Sequence, residues 1–188
     1  MESQSKKELM KQFGYHIQKV FEIGNLLGFK NPLDKYKYRE IQTASQLDHT
    51  VYTGASNGGE KLGADGENQF GKKSEYKSTT LDEKELEKIL GKNKRGTKCY
   101  LSGVYNGAYK EESIEEYRNI DHYFSAHHKG VVVAIVKVDT EHVCETLLEN
   151  HRNRAKGATT NCNTVKIAFD ESNPLMEVCY KNEEFFGA

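Results

Sequence analysis

The chain has 188 residues, a length that suits one folded domain with its own core. A formal net charge of −1 excludes a polycation that binds any nucleic acid indiscriminately. No run approaches the roughly twenty apolar residues of a membrane helix, and the first residues form no apolar signal core, so we expect a cytoplasmic protein. The four cysteines are far apart, which predicts reduced core thiols and no zinc ribbon or C-x-x-C redox motif.

The chain begins with two predicted helices. Apolar residues between Leu9 and Leu27 recur at helical spacing, and Gly28 stands where a helix C-cap is expected. A turn then leads to a shorter helix over Lys37–Gln46. Residues 49–66 are typical of a strand with glycine-rich turns.

The middle of the chain alternates strands and helices. Residues 72–79, KKSEYKST, predict a polar strand, and residues 80–90 predict a helix capped by Thr80 or Asp82. Residues 97–105 are strand-like, and a helix of one or two turns follows.

The last third of the chain predicts two hairpins around a helix. Residues 122–138 indicate a hairpin bent at Lys129-Gly130, whose second strand, VVVAIVKV, is buried. An amphipathic helix over 140–154 follows, and residues 164–182 predict a closing hairpin. This order of elements favours an α+β or mixed α/β fold with one sheet flanked by helices.

Three charged residues frame a glycine-punctuated turn between residues 62 and 79: Asp65, Glu75 and Lys77. In a strand, Glu75 and Lys77 emerge on the same side, and the nine residues after Asp65 let a neighbouring strand place Asp65 beside Glu75. Close carboxylates repel unless a cation lies between them, and Mg²⁺ suits oxygen ligands with vacant positions. The pattern predicts metal-dependent phosphodiester hydrolysis, with an exposed charged hairpin as the alternative.

A second acid-x-Lys sequence, Asp82-x-Lys84, falls in the predicted helix and indicates ordinary solvated surface. Positive charge is nevertheless concentrated nearby. Residues 72–98 contain nine Lys and Arg against five Asp and Glu, an excess of four that suits contact with phosphates.

At these residues the chain resembles the PD-(D/E)XK nuclease superfamily, and within it the Type II restriction endonucleases of the PvuII/EcoRV-like branch. The resemblance covers about residues 40–138. The family pattern is an acid at the end of one strand and (D/E)-x-K on the next, matched here by Asp65 and by SEYKS with Glu75 and Lys77. Ala64 stands where the family name has proline.

The resemblance implies a restriction-endonuclease-like mixed central sheet flanked by helices. It implies one nuclease domain over residues 1–188, with a helical dimerisation region over 1–46 and a catalytic and DNA-binding core over 47–188. The opening helix, with its broad apolar face, is then the expected dimer surface.

The implied activity is Mg²⁺-dependent, site-specific cleavage of double-stranded DNA by a homodimer. A cognate DNA methyltransferase is expected in the same system. Asp65 and Glu75 would be the magnesium ligands, and Lys77 would position the attacking water. Glu40, on the preceding helix, would assist, although it also suits plain helix surface.

Residues that contact DNA have to be inferred from their chemistry. Asn106 suits pairing with adenine and Tyr105 suits stacking or a phosphate, although Asn-Gly is also an ordinary turn signal. The glycine-rich loop before Asp65 and the lysine-rich loop after residue 91 suit a groove and phosphates, with solvated loops as the alternative. The predicted set is Ser56, Asn57, Lys73, Ser78, Lys92, Lys94, Arg95, Tyr105, Asn106 and His127.

The histidines at 122, 127 and 128 also suggest a zinc or general-base site. Because His127 and His128 are adjacent on a strand, they face opposite sides and cannot easily share one metal, so we expect one inward and one outward. Two other functions stay open: a junction resolvase or repair nuclease that reads DNA shape, and a non-catalytic nucleic-acid-binding module in which the three charged residues coincide by chance.

Overall fold

The computed structural model describes residues 5–34, 36–52, 64–92, 96–108, 110–156 and 163–187. Helices and strands alternate along these residues, with one 3₁₀ turn at Glu116–Asn119. In chain order the elements are α1 (Lys6–Leu26), α2 (Lys37–Gln46), β1 (Thr50–Val51), β2 (Gly66–Glu67), β3 (Lys73–Thr80), α3 (Glu83–Ile89), β4 (Cys99–Val104), α4 (Glu111–Glu115), β5 (Asp121–His128), β6 (Val131–Val138), α5 (Thr140–Ala155), β7 (Thr164–Phe169), β8 (Met176–Lys181) and α6 (Glu183–Phe186).

The two opening helices are confirmed. Ser5 caps α1 in a reciprocal capping box with Glu8, and Gly28 follows the helix in a left-handed conformation with φ 83°. Of the residues of α1, only Gly24 is buried and Ile17 is half-buried, so most apolar side chains of this helix face solvent. No helix among the described residues combines the length and apolar character needed to cross a membrane.

The larger sheet contains six described strands in the order β1-β2-β3-β5-β6-β8. Strands β3 and β5 are parallel, and the other neighbouring strands are antiparallel. The turn between β5 and β6 has positive φ at both Lys129 and Gly130, as a two-residue hairpin requires. The structure therefore combines helices with a mixed, mostly antiparallel sheet, which is compatible with the expected α+β class.

A second sheet consists of β4 and β7, paired antiparallel from Cys99↔Phe169 to Val104↔Thr164. The prediction of a closing hairpin is wrong, because β7 pairs with β4 while β8 pairs with the free edge of β6. The prediction of one sheet is wrong for the same reason. Leu101 of β4 and Val165 of β7 point into the same core, and this shared apolar side decides the pairing. A local turn signal carries no information about which strands share a core.

The larger sheet is covered on both sides. One side packs on β4, β7 and α5 in the main core, which includes Phe124 and Leu147. The other side carries a smaller cluster around Tyr76 and Tyr123 beneath α2. Thr43 of α2 is fully buried and its hydroxyl donates to Ser125 Oγ at 2.9 Å, so α2 is part of the packing that holds the sheet.

Candidate active site

The β2–β3 hairpin brings Asp65 beside Glu75. Gly66 pairs with Ser74, and the Asp65 backbone N–H donates to the Ser74 carbonyl at 2.9 Å, so the register sets Asp65 opposite Glu75. The Tyr76 backbone N–H donates to Asp65 Oδ2 at 2.9 Å and fixes that carboxylate against β3. This is the arrangement that the spacing of the two acids predicts.

Gly66 allows the short strands to approach each other at this point. A Cβ atom there would lie 2.3 Å from the Thr50 carbonyl oxygen and 3.0 Å from the Tyr76 hydroxyl. Tyr76 itself contacts His49, whose Nδ1 is 3.0 Å from the phenol oxygen. Any larger residue at 66 would therefore push β1 away from the strand that follows Asp65.

Glu75 and Lys77 leave β3 on the same side and form an ion pair through Oε1 and Nζ. Glu75 is 5 % exposed, and the Lys77 side chain is 14 % exposed. Two charges in such a place lose most of their hydration, so each depends on the other and on nearby polar groups. The exposed charged hairpin, the alternative interpretation of this segment, is excluded for this pair.

Strand β4 crosses over this side of β3 and confines the stem of Lys77. A Cβ atom on Gly103 would lie 2.4 Å from Lys77 Cγ, so the lysine occupies the space that a side chain at 103 would fill. The crossing is fixed by Thr79, whose Oγ1 accepts from the Ser102 backbone N–H at 2.8 Å. Sequence reasoning missed Gly103, although a glycine inside a strand is the usual signal of close backbone approach.

Tyr105 lies under the Lys77 ammonium group, with Nζ 4.7 Å from the ring centroid. Its ring face favours the cation, and its hydroxyl donates to His122 Nδ1 at 3.2 Å. His122 Nε2 in turn donates to the Tyr117 carbonyl at 3.1 Å, which sets the tautomer. Burial lowers the pKa of His122 to about 4, so the imidazole is neutral at pH 7. The prediction that Tyr105 contacts DNA is wrong, because this side chain is fully buried.

Glu40 of α2 belongs to the same electrostatic cluster and pairs with Lys37. Burial raises the pKa of Glu40, and the Asp65 carboxylate raises it further. Burial also raises the pKa of Glu75 to about 8, helped by Asp65 and Glu40 and opposed by Lys77. Burial alone would lower the pKa of Lys77, but the carboxylates of Glu75 and Asp65 outweigh it and raise that pKa above its ordinary value.

Fully ionised, this cluster has three carboxylates against two ammonium groups, an excess of one negative charge. Repulsion between these carboxylates adds to burial in raising the pKa values of Glu40 and Glu75, and a bound cation would relieve that repulsion. Among the described ranges, no three His, Cys, Asp or Glu side chains are grouped closely enough to hold a metal ion. Asp65 and Glu75 offer two carboxylates, a donor set that fits Mg²⁺ because this ion keeps several of its waters.

Four predicted DNA contacts lie at accessible positions. Lys73 is exposed at the start of β3, Lys92 is exposed beyond α3, and Asn106 is exposed in the turn after β4. Ser78 is half-buried. These four remain predictions. Ser56, Asn57, Lys94 and Arg95 lie outside the described residues.

His127 is buried, so the prediction that it contacts DNA is wrong. Its Nε2 lies 2.9 Å from Ser125 Oγ, and burial lowers its pKa to about 4. His128 is buried as well, with Nδ1 donating to the Leu81 carbonyl at 3.0 Å, so the expectation of one outward histidine is also wrong. The two rings do face opposite sides of β5, but both sides of this central strand are covered.

The cysteines are only partly as expected. Cys99 and Cys144 are free and buried, whereas Cys179 is free and exposed on the edge strand β8. Cys162 lies outside the described residues.

Neither protein-family models nor curated proteins match this chain. The function of the chain is therefore inferred from the geometry of Asp65, Glu75 and Lys77 and of the groups that hold them.

Proposed function

We propose that this protein is a Mg²⁺-dependent, site-specific endonuclease of the Type II restriction kind, which hydrolyses phosphodiester bonds in double-stranded DNA. One observation carries the proposal. Asp65 lies against β3 beside Glu75, and Glu75 is paired with Lys77 on the same side of that strand. A mixed sheet flanked by helices agrees with the restriction-endonuclease-like fold that the resemblance implies.

In this proposal Asp65 and Glu75 hold the magnesium ion. The bound ion supplies charge neutralisation at the phosphate and lowers the pKa of a water molecule. Because Glu75 and Lys77 are mostly removed from water, charges at this site act on a phosphate more strongly than they would in open solvent.

Lys77 acts as a hydrogen-bond donor. Its pKa is raised by Glu75 and Asp65, so the ammonium group keeps its proton at neutral pH. Its role is to orient the attacking water and to stabilise charge on a phosphate oxygen, and it does not accept the proton of that water. The ring of Tyr105 and the backbone at Gly103 hold the ammonium group in place for this.

Glu40 supports the site from α2. Its carboxylate adds to the negative potential around Glu75 and accepts a hydrogen bond from Lys37. Cleavage of both strands also requires a second active site, which a homodimer would provide.

Helix α1 is the surface that we assign to the dimer. Phe13, Ile17 and Val20 follow each other at spacings of four and three, the pattern of a helix–helix seam. Phe13 is 67 % exposed and Val20 is 39 % exposed, so the seam lacks a covering element among the described residues. Val20→Glu should convert dimer to monomer in light scattering, while Gln12→Glu, an equal charge change, should not. A monomeric wild type would contradict the assignment.

The activity is tested by incubating purified protein with plasmid and Mg²⁺. The proposal predicts discrete fragments that Lys77→Ala abolishes while Ca²⁺-supported DNA binding persists. Lys84→Ala is the matched control, since Lys84 belongs to the exposed acid-x-Lys pair. Cutting confined to branched DNA would instead indicate a junction resolvase, and binding without cleavage would indicate a non-catalytic module.

The cognate DNA methyltransferase is part of the same proposal. Its expected effect is that DNA methylated at the mapped site resists cleavage. Equal cutting of methylated and unmethylated plasmid would reject the cognate methyltransferase and leave the nuclease assignment in place.

A further inference from the structure

The turn between β2 and β3 presents an aromatic ring to solvent. Phe70 is 83 % exposed, more than any other aromatic side chain among the described residues. A single exposed apolar residue is ordinary on a protein surface, so exposure alone decides nothing. Two further features suggest a binding role for this ring: the turn is held by its own hydrogen bonds, and positive charges lie beside it.

The turn is closed by hydrogen bonds of its own. Asn68 Oδ1 accepts from the backbone N–H groups of Phe70 at 2.9 Å and Lys72 at 3.0 Å. The Asn68 N–H donates to the Lys72 carbonyl at 3.0 Å, and Gly71, at φ 74°, donates to the Asn68 carbonyl at 2.9 Å. These hydrogen bonds hold the backbone of Phe70 in one conformation, so its ring projects from an ordered turn.

Two lysines follow the ring directly. Lys72 and Lys73 are exposed, and neither forms an ion pair with a carboxylate of the described residues. Glu67, the nearest acid before the turn in sequence, accepts a hydrogen bond from the Tyr52 hydroxyl at 2.8 Å. The tip thus combines an apolar plane with positive charge. Nucleic acids present the complement, with base faces that stack and phosphates that are negative.

The same hairpin carries the candidate active site. Lys72 is three residues from Glu75, a distance of about 10 Å along an extended strand. Bases rise by roughly 3.4 Å per step in duplex DNA. A ring at this tip reaches a base about three or four pairs from the phosphate held at Glu75.

We propose that Phe70 stacks on or wedges against a base of the bound DNA within about four base pairs of the cut, while Lys72 and Lys73 contact the flanking phosphates. This inference builds on the proposed function, because the DNA it names is the substrate of that site. A second copy of this chain is the other occupant for an exposed ring, and the lysines beside it argue against one.

The test measures binding and base unstacking apart from cleavage. The probe is a duplex spanning the site mapped from plasmid digestion, or a random-sequence duplex if no site is found, with 2-aminopurine at successive positions near the cut and Ca²⁺ in place of Mg²⁺. Phe70→Ala should weaken DNA binding by about 10-fold or more and remove the 2-aminopurine fluorescence rise. Phe70→Tyr should retain both signals. Gln69→Ala, a truncation in the same turn without loss of the ring, is the matched control.

Each outcome decides between the two proposals. DNA binding that Phe70→Ala weakens, without any cleavage by wild type, supports the stacking contact and rejects the nuclease. Cleavage by wild type with unchanged binding and fluorescence in Phe70→Ala rejects the stacking contact alone. A change in the mass of the oligomer with unchanged DNA affinity also rejects it, in favour of a contact between copies. A wild type that neither binds nor cuts DNA overturns both.

Discussion

Residues 75–84 contain the same short pattern twice, in two different environments. Glu75 and Lys77 lie on one side of β3, paired and mostly removed from water. Asp82 and Lys84 lie at the start of α3, both exposed, and Asp82 caps that helix by accepting from the Glu85 N–H at 2.8 Å. The two members of the first pair shift each other's pKa values. In the second pair, Asp82 only caps the helix. The pattern therefore carries chemistry only where strand geometry and burial bring the two groups together.

The largest expected effect comes from neutralising the buried acid. Glu75→Gln keeps the shape of the side chain and removes a metal ligand, so cleavage should fall to the background while the protein stays folded. Asp82→Asn changes charge equally at the exposed pair and keeps a capping oxygen, so activity should not change. Plasmid cleavage and circular dichroism measure the two effects. Equal activity in the two variants would remove the distinction between the pairs.

A smaller effect is expected from moving Lys77 without altering it. Gly103→Ala places a methyl group where the Lys77 stem lies and displaces the ammonium group. A shift of about 1 Å can cost roughly 100-fold in rate, so kcat should drop strongly, with less change in DNA affinity. Val104→Ala is the control, because it changes an exposed side chain at the neighbouring position of β4. Unchanged kcat in Gly103→Ala would show that the rate does not depend on where the lysine is held.

The buried pair should also appear in the pH dependence of stability. The folded-state pKa of Glu75 is about 8, above its ordinary value of 4.5, so the folded state keeps a proton that the unfolded state releases. Below about pH 6.5 the buried, neutral His122 and His127 act in the opposite direction, so the free energy of unfolding of the metal-free protein should fall with rising pH only between about 6.5 and 8. Denaturant titrations should show a flatter slope in Glu75→Gln and an unchanged slope in Asp82→Asn. A slope that Glu75→Gln leaves unaltered would contradict the burial argument.

The smallest expected effect concerns the exposed pair alone. Asp82→Ala removes the cap of α3 and should cost about 1 kcal/mol of stability with no change in kcat. Chemical denaturation measures the loss, and a reduced kcat would show that Asp82 acts at the site after all.

The sequence predicted the elements better than their partners. Periodicity and end signals are local, so the helix over Lys37–Gln46 and the hairpin turn at Lys129-Gly130 agree with the structure. Strand pairing is decided by which apolar sides meet. For that reason the pairing of β7 with β4 could not be found from the turn at residues 172–174.

In the candidate site, too, local features were predicted and contacts between distant strands were not. Asp65, Glu75 and Lys77 were found because their spacing along two neighbouring strands is a local property. The prediction that Tyr105 contacts DNA is wrong because the crossing of β4 over β3 buries this side chain beneath Lys77, and no local pattern indicates that crossing. The contact between Gly103 and the Lys77 stem also results from that crossing, so the sequence alone did not indicate it.

The central claim is that the buried acids share a divalent ion. Calorimetric titration of Mn²⁺ into the protein with an uncleavable duplex tests it most directly. We predict binding by wild type with release of a proton, seen as a dependence of the heat on the buffer, because burial raises the pKa of Glu75 and a bound ion requires the ionised carboxylate. Binding should vanish in Glu75→Gln and persist in Asp82→Asn. An identical titration in wild type and Glu75→Gln would contradict the account.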